Sequence, residues 1–362
     1  MNNSPKHIQN ALNLRRETNS LRVLSPVDSG RIDFMSNDYF GYSTIRFEND
    51  KPSGGTGSRL ISGTTFSHAE VERETASFFG SKASLLFNSG YNANMGLFSC
   101  LGAKKDLYLY DELIHASIRE AMRLSPSKSF KFKHNSVLDL KRKLSRFKED
   151  FDAIYVIVES VYSMDGDKAV LKEIAQLCKE FDVFLIVDEA HALGVFGKGL
   201  VSEWNLTHLV YARIVTFGKA LGFHGAAILS NQELIDFLIN FSKPFIYTTA
   251  LSEKDVVEIL DRLRYMIKSD SRLLLEKNIK YFLSCADFEG FSQNDSSIQT
   301  FRIGDIHKAK KVEKVLKEKG FALKAILSPT VPKGTERIRI CLHTYNSKEE
   351  ISALVKILKD YV

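Results

Sequence analysis

The chain has 362 residues, 44% of them hydrophobic and 26% charged, an ordinary globular composition whose length suggests roughly two domains at about 150 residues each. Its net charge of +6 comes from 50 Lys and Arg against 44 Asp and Glu, spread along the sequence, so no basic block invites a nucleic acid. No apolar run is long enough for a bilayer, the N-terminus lacks the apolar heart of a signal peptide, and Cys100, Cys178, Cys285 and Cys341 show no CxxC spacing. A cytoplasmic protein with buried free thiols, no membrane partner, no disulfide frame and no zinc site is expected.

In chain order, residues 1–40 read as an N-terminal arm, loosely attached over about the first twenty. A capping box, Ser67-x-x-Glu70, predicts a helix that stops at Gly80. Short β-rich runs at 83–90, 106–112, 129–135, 153–160, 183–192 and 213–219 then alternate with helix-like segments. One of these, 169–181, repeats apolar residues at 170, 171, 174, 177, 178 and 181, which puts Cys178 on its apolar face. Alternation of this kind builds a mostly parallel, doubly wound α/β sheet, expected over 41–251. From 252 the rhythm changes to one long helix reaching Cys285, a strand in SSIQTFRIG, a basic helix over 307–320, strands in FALKAIL and ERIRICL, and a last helix opened by Ser347-x-x-Glu350. Residues 252–362 therefore read as a smaller α+β domain. Val312, Val315 and Leu316 at helical spacing mark the basic helix as a solvated face over a core.

In a parallel sheet, ligands collect outside the carboxyl ends of the strands, so the residues closing each run matter. Asp188, Glu189 and His191 follow a wholly apolar strand, and a carboxylate there needs a cationic partner. Asp-Glu-x-His is open to three readings: a divalent-metal pair, a nucleotide-hydrolase motif, or structure. Neither a GxxxxGK[ST] loop nor HExxH is present to decide among them. Ser89, Gly90 and Tyr91 open a helix whose bare N–H groups suit a phosphate. His115, the set Glu159, Ser163 and Asp165, and Lys219 in TFGKALG close three more runs.

Together these segments resemble the α-oxoamine synthase family of pyridoxal-phosphate enzymes, of aminotransferase fold type I. The motifs run over nearly the whole chain: SNDYFGYS (36–43), GGTGSRLISG (54–63), NSGYNAN, HASI, ESVYSMDGD, VDEAHALGVFG, TFGKALG, KPFIYTTAL (243–251) and SPTVPKGTERIRICL (328–342). The resemblance implies a large domain with a mostly parallel sheet between helices and a smaller C-terminal α+β domain. It also implies that Lys219 forms the Schiff base with pyridoxal 5'-phosphate, and that Asp188 pairs with the ring nitrogen. Such a pair is worth about 4 kcal/mol at roughly 4 Å and an effective dielectric near 20. By the same resemblance His115 stacks on the ring, while His191 and Ser163 reach its phenolic oxygen. Ser89, Gly90, Tyr91 and Thr216 hold the phosphate, with Thr248 or Thr249 arriving from the other subunit of a homodimer. Asn37 and Arg339 take the amino-acid carboxylate, and Arg22 helps bind the acyl substrate.

Family members condense a small amino acid with an acyl thioester and lose carbon dioxide. The likeness is greatest to those of biotin biosynthesis, implying L-alanine and a pimeloyl thioester, on coenzyme A or acyl carrier protein. Serine palmitoyltransferase-like or glycine C-acetyltransferase-like specificity is the alternative. The chain departs from the family pattern at Ala192, Leu193 and Asn346, where glycine, threonine and histidine are usual, and in a short 43–55 segment.

Overall fold

The computed structural model describes residues 4–361 except 19, 25, 27 and 29, so those positions of the expected arm, with 1–3, lie outside the described residues. The arm carries a helix, Lys6–Glu17, that buries none of its residues. The strands in chain order are β1 (Ile32–Asp33), β2 (Ala83–Phe87), β3 (Asp106–Asp111), β4 (Lys128–Phe132), β5 (Ala153–Glu159), β6 (Phe184–Asp188), β7 (Ala212–Thr216), β8 (Ala226–Ser230), β9 (Ile298–Arg302), β10 (Phe321–Ala322), β11 (Lys324–Ile326) and β12 (Arg337–Cys341).

Seven of these form one sheet in the order β2-β8-β7-β6-β5-β3-β4. Its pairings are parallel except at β8, which runs antiparallel to both β2 and β7. Two reversals cancel, so β2 points the same way as β7, and the carboxyl ends of β2, β3, β5, β6 and β7 share one edge. Register along that edge is tight: Glu159 stands opposite Asp188, and Asp188 opposite Ile214.

Side chains alternate across the strands. Tyr155 and Ile157 pack on one face against the helices Gly90–Phe98, Ala116–Leu124 and Gln232–Phe241, whereas Ile154, Val156 and Val158 pack on the other against Val137–Phe147 and Leu171–Glu180. A third core joins Val215 and Leu229 of this sheet to the helices Phe66–Phe79 and Glu253–Lys268, to the small sheet β11-β12-β9, and to the last helix, Lys348–Lys359. β1 pairs in parallel with β10, tying residues 32–33 to the C-terminal part of the chain.

Several expectations need correction. The first capping box is Thr65 with His68, because the helix starts at Phe66; Ser67 is inside it, its hydroxyl donating to Glu253 Oε1 at 2.6 Å. The long helix after 252 is two, Glu253–Lys268 and Ser271–Cys285, since Ser269 turns extended (ψ 156) and ends the first. The run 183–192 leaves the sheet at Asp188, where Oδ1 accepts from Ala190 N at 2.9 Å and turns the backbone. β8 and the helix after it went unread, because AAILS is a five-residue apolar run that periodicity cannot assign. Cys178 and Cys341 are buried, but Cys100 and Cys285 are only half-buried, and all four are free. The last capping box, Ser347 with Glu350, forms as expected.

Beneath the carboxyl edge Glu189 and Arg213 form a buried ion pair, with Arg213 Nε and Nη2 2.8 and 2.5 Å from Glu189 Oε2. Val201 N donates to the other carboxylate oxygen, and the guanidinium also donates to Phe79 O, Ser202 Oγ and Lys198 O. Every polar atom of the pair is thus occupied, which a buried pair requires. Arg213→Ala is expected to lower the unfolding free energy by about 3–5 kcal/mol, read from urea titrations, whereas Arg213→Met with Glu189→Leu costs much less. Equal losses in the two variants would show that packing, not an orphaned carboxylate, sets the cost.

Candidate active site

Each strand reaching the shared edge delivers a polar group to it. β2 runs into Ser89, the N-cap of the helix Gly90–Phe98, whose hydroxyl accepts from Asn92 N at 3.1 Å. Gly90 lies hard against the end of β7: a Cβ there would stand 2.5 Å from Thr216 Cγ2. Thr216 Oγ1 is buried beside it with no hydrogen-bond partner, and the Tyr91 side chain is exposed. β3 leads to His115, the N-cap of Ala116–Leu124, whose Nδ1 accepts from Ser117 N at 3.2 Å and meets Ser117 Oγ at 2.7 Å. The Nε2 atom and the exposed ring are left to the cavity.

β6 ends at Asp188, whose Oδ2 accepts from Asn94 Nδ2 at 3.0 Å. Three residues on, the buried His191 has Nδ1 at 2.7 Å from Tyr39 Oη. β7 ends at Thr216, and Lys219 follows in a turn closed by Gly222 N donating to Lys219 O at 2.8 Å. On β12, Arg339 donates from Nε to Ser163 O at 2.7 Å, from Nη1 to Cys341 Sγ at 2.9 Å and from Nη2 to Asn37 Oδ1 at 3.0 Å. The guanidinium is thereby fixed in orientation.

Charge follows from this geometry. Burial pushes the Lys219 amine down from 10.5 to about 8, against the pull of Asp188 and then Glu159, while Arg339 adds to the depression. Its neighbours act on it through charge. Burial also drives His191 well below 6.5, helped by Lys219, Arg339 and His115, so its ring is neutral near pH 7. His115, although exposed to the cavity, is lowered by the desolvation its surroundings impose, with Asp188 opposing. Glu159, opposite Asp188 in the sheet, is raised well above 4.5 by burial and then by Asp188.

The structure thus brings Lys219, Asp188, His191, His115, Asn37 and Arg339 within electrostatic or hydrogen-bonding reach, with Gly90 and Thr216 in contact alongside. Arg22 stands farther out, its Nη2 3.4 Å from Thr330 Oγ1, on the wall of a cavity of about 2020 Å³ that His115 and Ser163 also line. In this chain Thr249 O accepts from Asn88 Nδ2 at 2.7 Å, and Thr248 lines a small cavity with Asn88. Sequence reading missed Asn94 and Tyr39. Asn94 carried a usable signal, being one turn after Gly90 on the sheet-facing side of the helix. Of the departures, Ala192 and Leu193 are core residues, and Asn346 accepts from His343 N at 2.9 Å and donates to Asp33 O at 2.9 Å, a buried brace. Among the described residues no group of three or more His, Cys, Asp or Glu could hold a metal, and no helix is long and apolar enough to cross a membrane.

The family model for aminotransferases of class I and II matches residues 29–358. An 8-amino-7-oxononanoate synthase of Emericella nidulans is 35% identical, over 100% of this chain and 98% of its own. Among solved structures, a serine palmitoyltransferase variant of S. paucimobilis with a bound pyridoxal phosphate–myriocin aldimine superposes with a TM-score of 0.87 at 25% identity, covering 98% of this chain and 96% of that one. The 8-amino-7-oxononanoate synthase of Francisella tularensis gives 0.77 at 26% identity, covering 92% and 98%. The chain accordingly belongs to the class I and II aminotransferase family, as a pyridoxal-phosphate enzyme of fold type I in the α-oxoamine synthase group.

Proposed function

We propose that this chain condenses L-alanine with a pimeloyl thioester, on coenzyme A or acyl carrier protein, to give 8-amino-7-oxononanoate, carbon dioxide and the free thiol. One observation carries the reading: a half-buried lysine amine at a strand end, lowered by burial to about 8 beside Asp188. Full-length kinship with proteins of that name supports the choice of substrates. We also propose that residues 41–251 are the cofactor-bearing domain, that 252–362 are the smaller one, and that the protein works in the cytoplasm.

Pyridoxal phosphate fits the residues present. The orphaned Thr216 hydroxyl and the bare backbone at Gly90 and Tyr91, with Ser89 capping the helix, offer the phosphate its donors. Asp188 suits the ring nitrogen, the exposed His115 ring suits a stacking role, and neutral His191 with Ser163 suits the phenolic oxygen. Lys219 supplies the amine. When bound, the group provides the electron sink that stabilises negative charge at the amino acid's Cα.

Asn94 fixes Asp188 from one side and Ala190 N from the other, so the carboxylate is set before any ligand arrives. Arg339, aimed by Ser163 O and Asn37, holds the amino-acid carboxylate. Lys219 Nζ takes the Cα proton; Cα then bonds to the thioester carbonyl carbon as the thiolate leaves. Carbon dioxide departs from the former carboxylate, and Lys219 returns a proton to Cα. Arg22, on the cavity wall, serves the distal end of the acyl chain.

A homodimer completes the phosphate site, with Thr248 or Thr249 of the second copy. Ile61, Phe66 and Tyr247 support this: they are large, apolar and exposed, in the segments on either side of the Ser58 to Thr249 bridge. Serine palmitoyltransferase-like specificity is the second reading, favoured by the TM-score of 0.87.

With the amine at about 8, roughly one Lys219 in ten is neutral at pH 7 and half near pH 8. Acetic anhydride labelling of the cofactor-free protein, followed by peptide mass spectrometry, is expected to show that midpoint. Because Asp188 pulls the amine upward, Asp188→Asn should move the midpoint lower still. A midpoint near 10 would leave Lys219 an ordinary surface amine. For the substrates, condensation rates with alanine, serine and glycine against pimeloyl, palmitoyl and acetyl thioesters decide. Alanine with pimeloyl is expected to lead by tenfold or more, although proton exchange at Cα of glycine and serine follows more closely, a methylene or hydroxyl being worth about 1–3 kcal/mol. A lead for serine with palmitoyl would keep the family and replace the substrates.

A further inference from the structure

Tyr39 is wholly buried in the segment before Gly41, yet its hydroxyl joins two groups assigned different tasks above. Its Oη lies 2.7 Å from His191 Nδ1 and 3.3 Å from Asn37 Oδ1, and Asn37 Oδ1 in turn accepts from Arg339 Nη2 at 3.0 Å. The chain of contacts runs from guanidinium to amide to phenol to imidazole, through side chains that are buried or half-buried.

Both ends of the short contact are neutral: burial raises the phenol above its ordinary 10.0, so it keeps its proton, and burial keeps His191 neutral. One hydrogen lies between Oη and Nδ1; we take the phenol as its donor, which leaves the imidazole's own proton on Nε2. One phenolic proton faces two acceptors, and Asn37 Oδ1 competes for it more strongly whenever Arg339 Nη2 is drawn away.

We propose that Tyr39 is a positioning residue that reports occupancy of the Arg339 carboxylate site to His191. A carboxylate on Arg339 draws Nη2 from Asn37, Asn37 Oδ1 draws the phenolic proton, and the hydrogen bond holding the His191 ring loosens. Amino-acid binding is thereby felt at the imidazole without direct contact. The proposal rests on the reading that Arg339 binds the amino-acid carboxylate and His191 faces the cofactor.

The test uses Tyr39→Phe, which removes one oxygen, and Asn37→Asp, which puts a stronger acceptor beside the phenol. Nitrogen-15 NMR of histidine-labelled, cofactor-free protein should show His191 as a single Nε2–H tautomer in the parent and as a mixture in both variants. The second variant carries the test if the first does not fold. An unchanged tautomer in a folded variant overturns the link. In the loaded enzyme, Tyr39→Phe is expected to lower kcat about tenfold while KM for L-alanine moves less than twofold. A raised KM at unchanged kcat would assign Tyr39 to the carboxylate site alone and overturn the relay. Arg339→Gln separates the underlying reading: retained affinity for L-alanine sinks that reading and the relay with it, whereas the tautomer result stands by itself as a measure of the Tyr39 to His191 bond.

Discussion

A lysine amine that must be neutral often enough to react cannot be left in water, and it cannot be locked into a salt bridge either. The structure meets both demands by half-burying Lys219 near Asp188 and Glu159, which act on it through charge. Asp188 is held elsewhere, by Asn94 and Ala190 N, and burial raises Glu159 well above its ordinary 4.5. Asp188 is thus kept from closing on the amine. The shared edge of the sheet makes this arrangement possible, since parallel strands set Glu159 opposite Asp188, and Asp188 opposite Ile214 just before Thr216, in fixed register.

Adjacent residues on one strand end divide the work. Asp188 turns toward Asn94 and the site, whereas Glu189 turns into the protein and pairs with Arg213 under β7. The Arg213 pair ties the end of β6 to β7 from below, beneath the carboxylate that faces the site. This explains an acidic dipeptide where one acid would serve the chemistry.

Much of this was legible in the sequence. The alternation of apolar runs and helices gave the sheet, because parallel strands buried on both faces read as continuous Val, Ile and Leu. Strand-end residues such as Asp188, His115 and Lys219 were legible because their place in the chain is their place in the fold. Asn37, Tyr39 and Arg339 show the opposite case. Arg339 and Asn37 are 302 positions apart yet hydrogen-bonded, and only motif likeness joined them beforehand. Tyr39, a buried aromatic in the motif SNDYFGYS, carried no sign that its hydroxyl would meet His191 from 152 positions away. Ser67 misled for a local reason: it satisfies the capping pattern two positions inside a helix that Thr65 already caps.

The site is therefore a product of long-range closure. Residues 32–46 are held by their C-terminal neighbours: Cys341 N donates to Phe34 O at 2.8 Å, Thr344 N to Tyr39 O at 2.9 Å, and Arg262 donates to Tyr42 O and Ile45 O at 2.8 and 3.0 Å. The same guanidinium reaches Leu221 O at 2.8 Å, in the Lys219 turn, and is itself paired with Glu258. Gly222 makes the junction possible, because its φ of +59° is left-handed and a Cβ there would lie 2.1 Å from Ser43 N. One buried arginine and one bare backbone position thus clamp the lysine turn to the segment that carries Asn37 and Tyr39. Three stretches of chain, near residues 40, 220 and 340, must dock together before the lysine has an environment at all, which is why local patterning identified the amine's position without revealing what holds it.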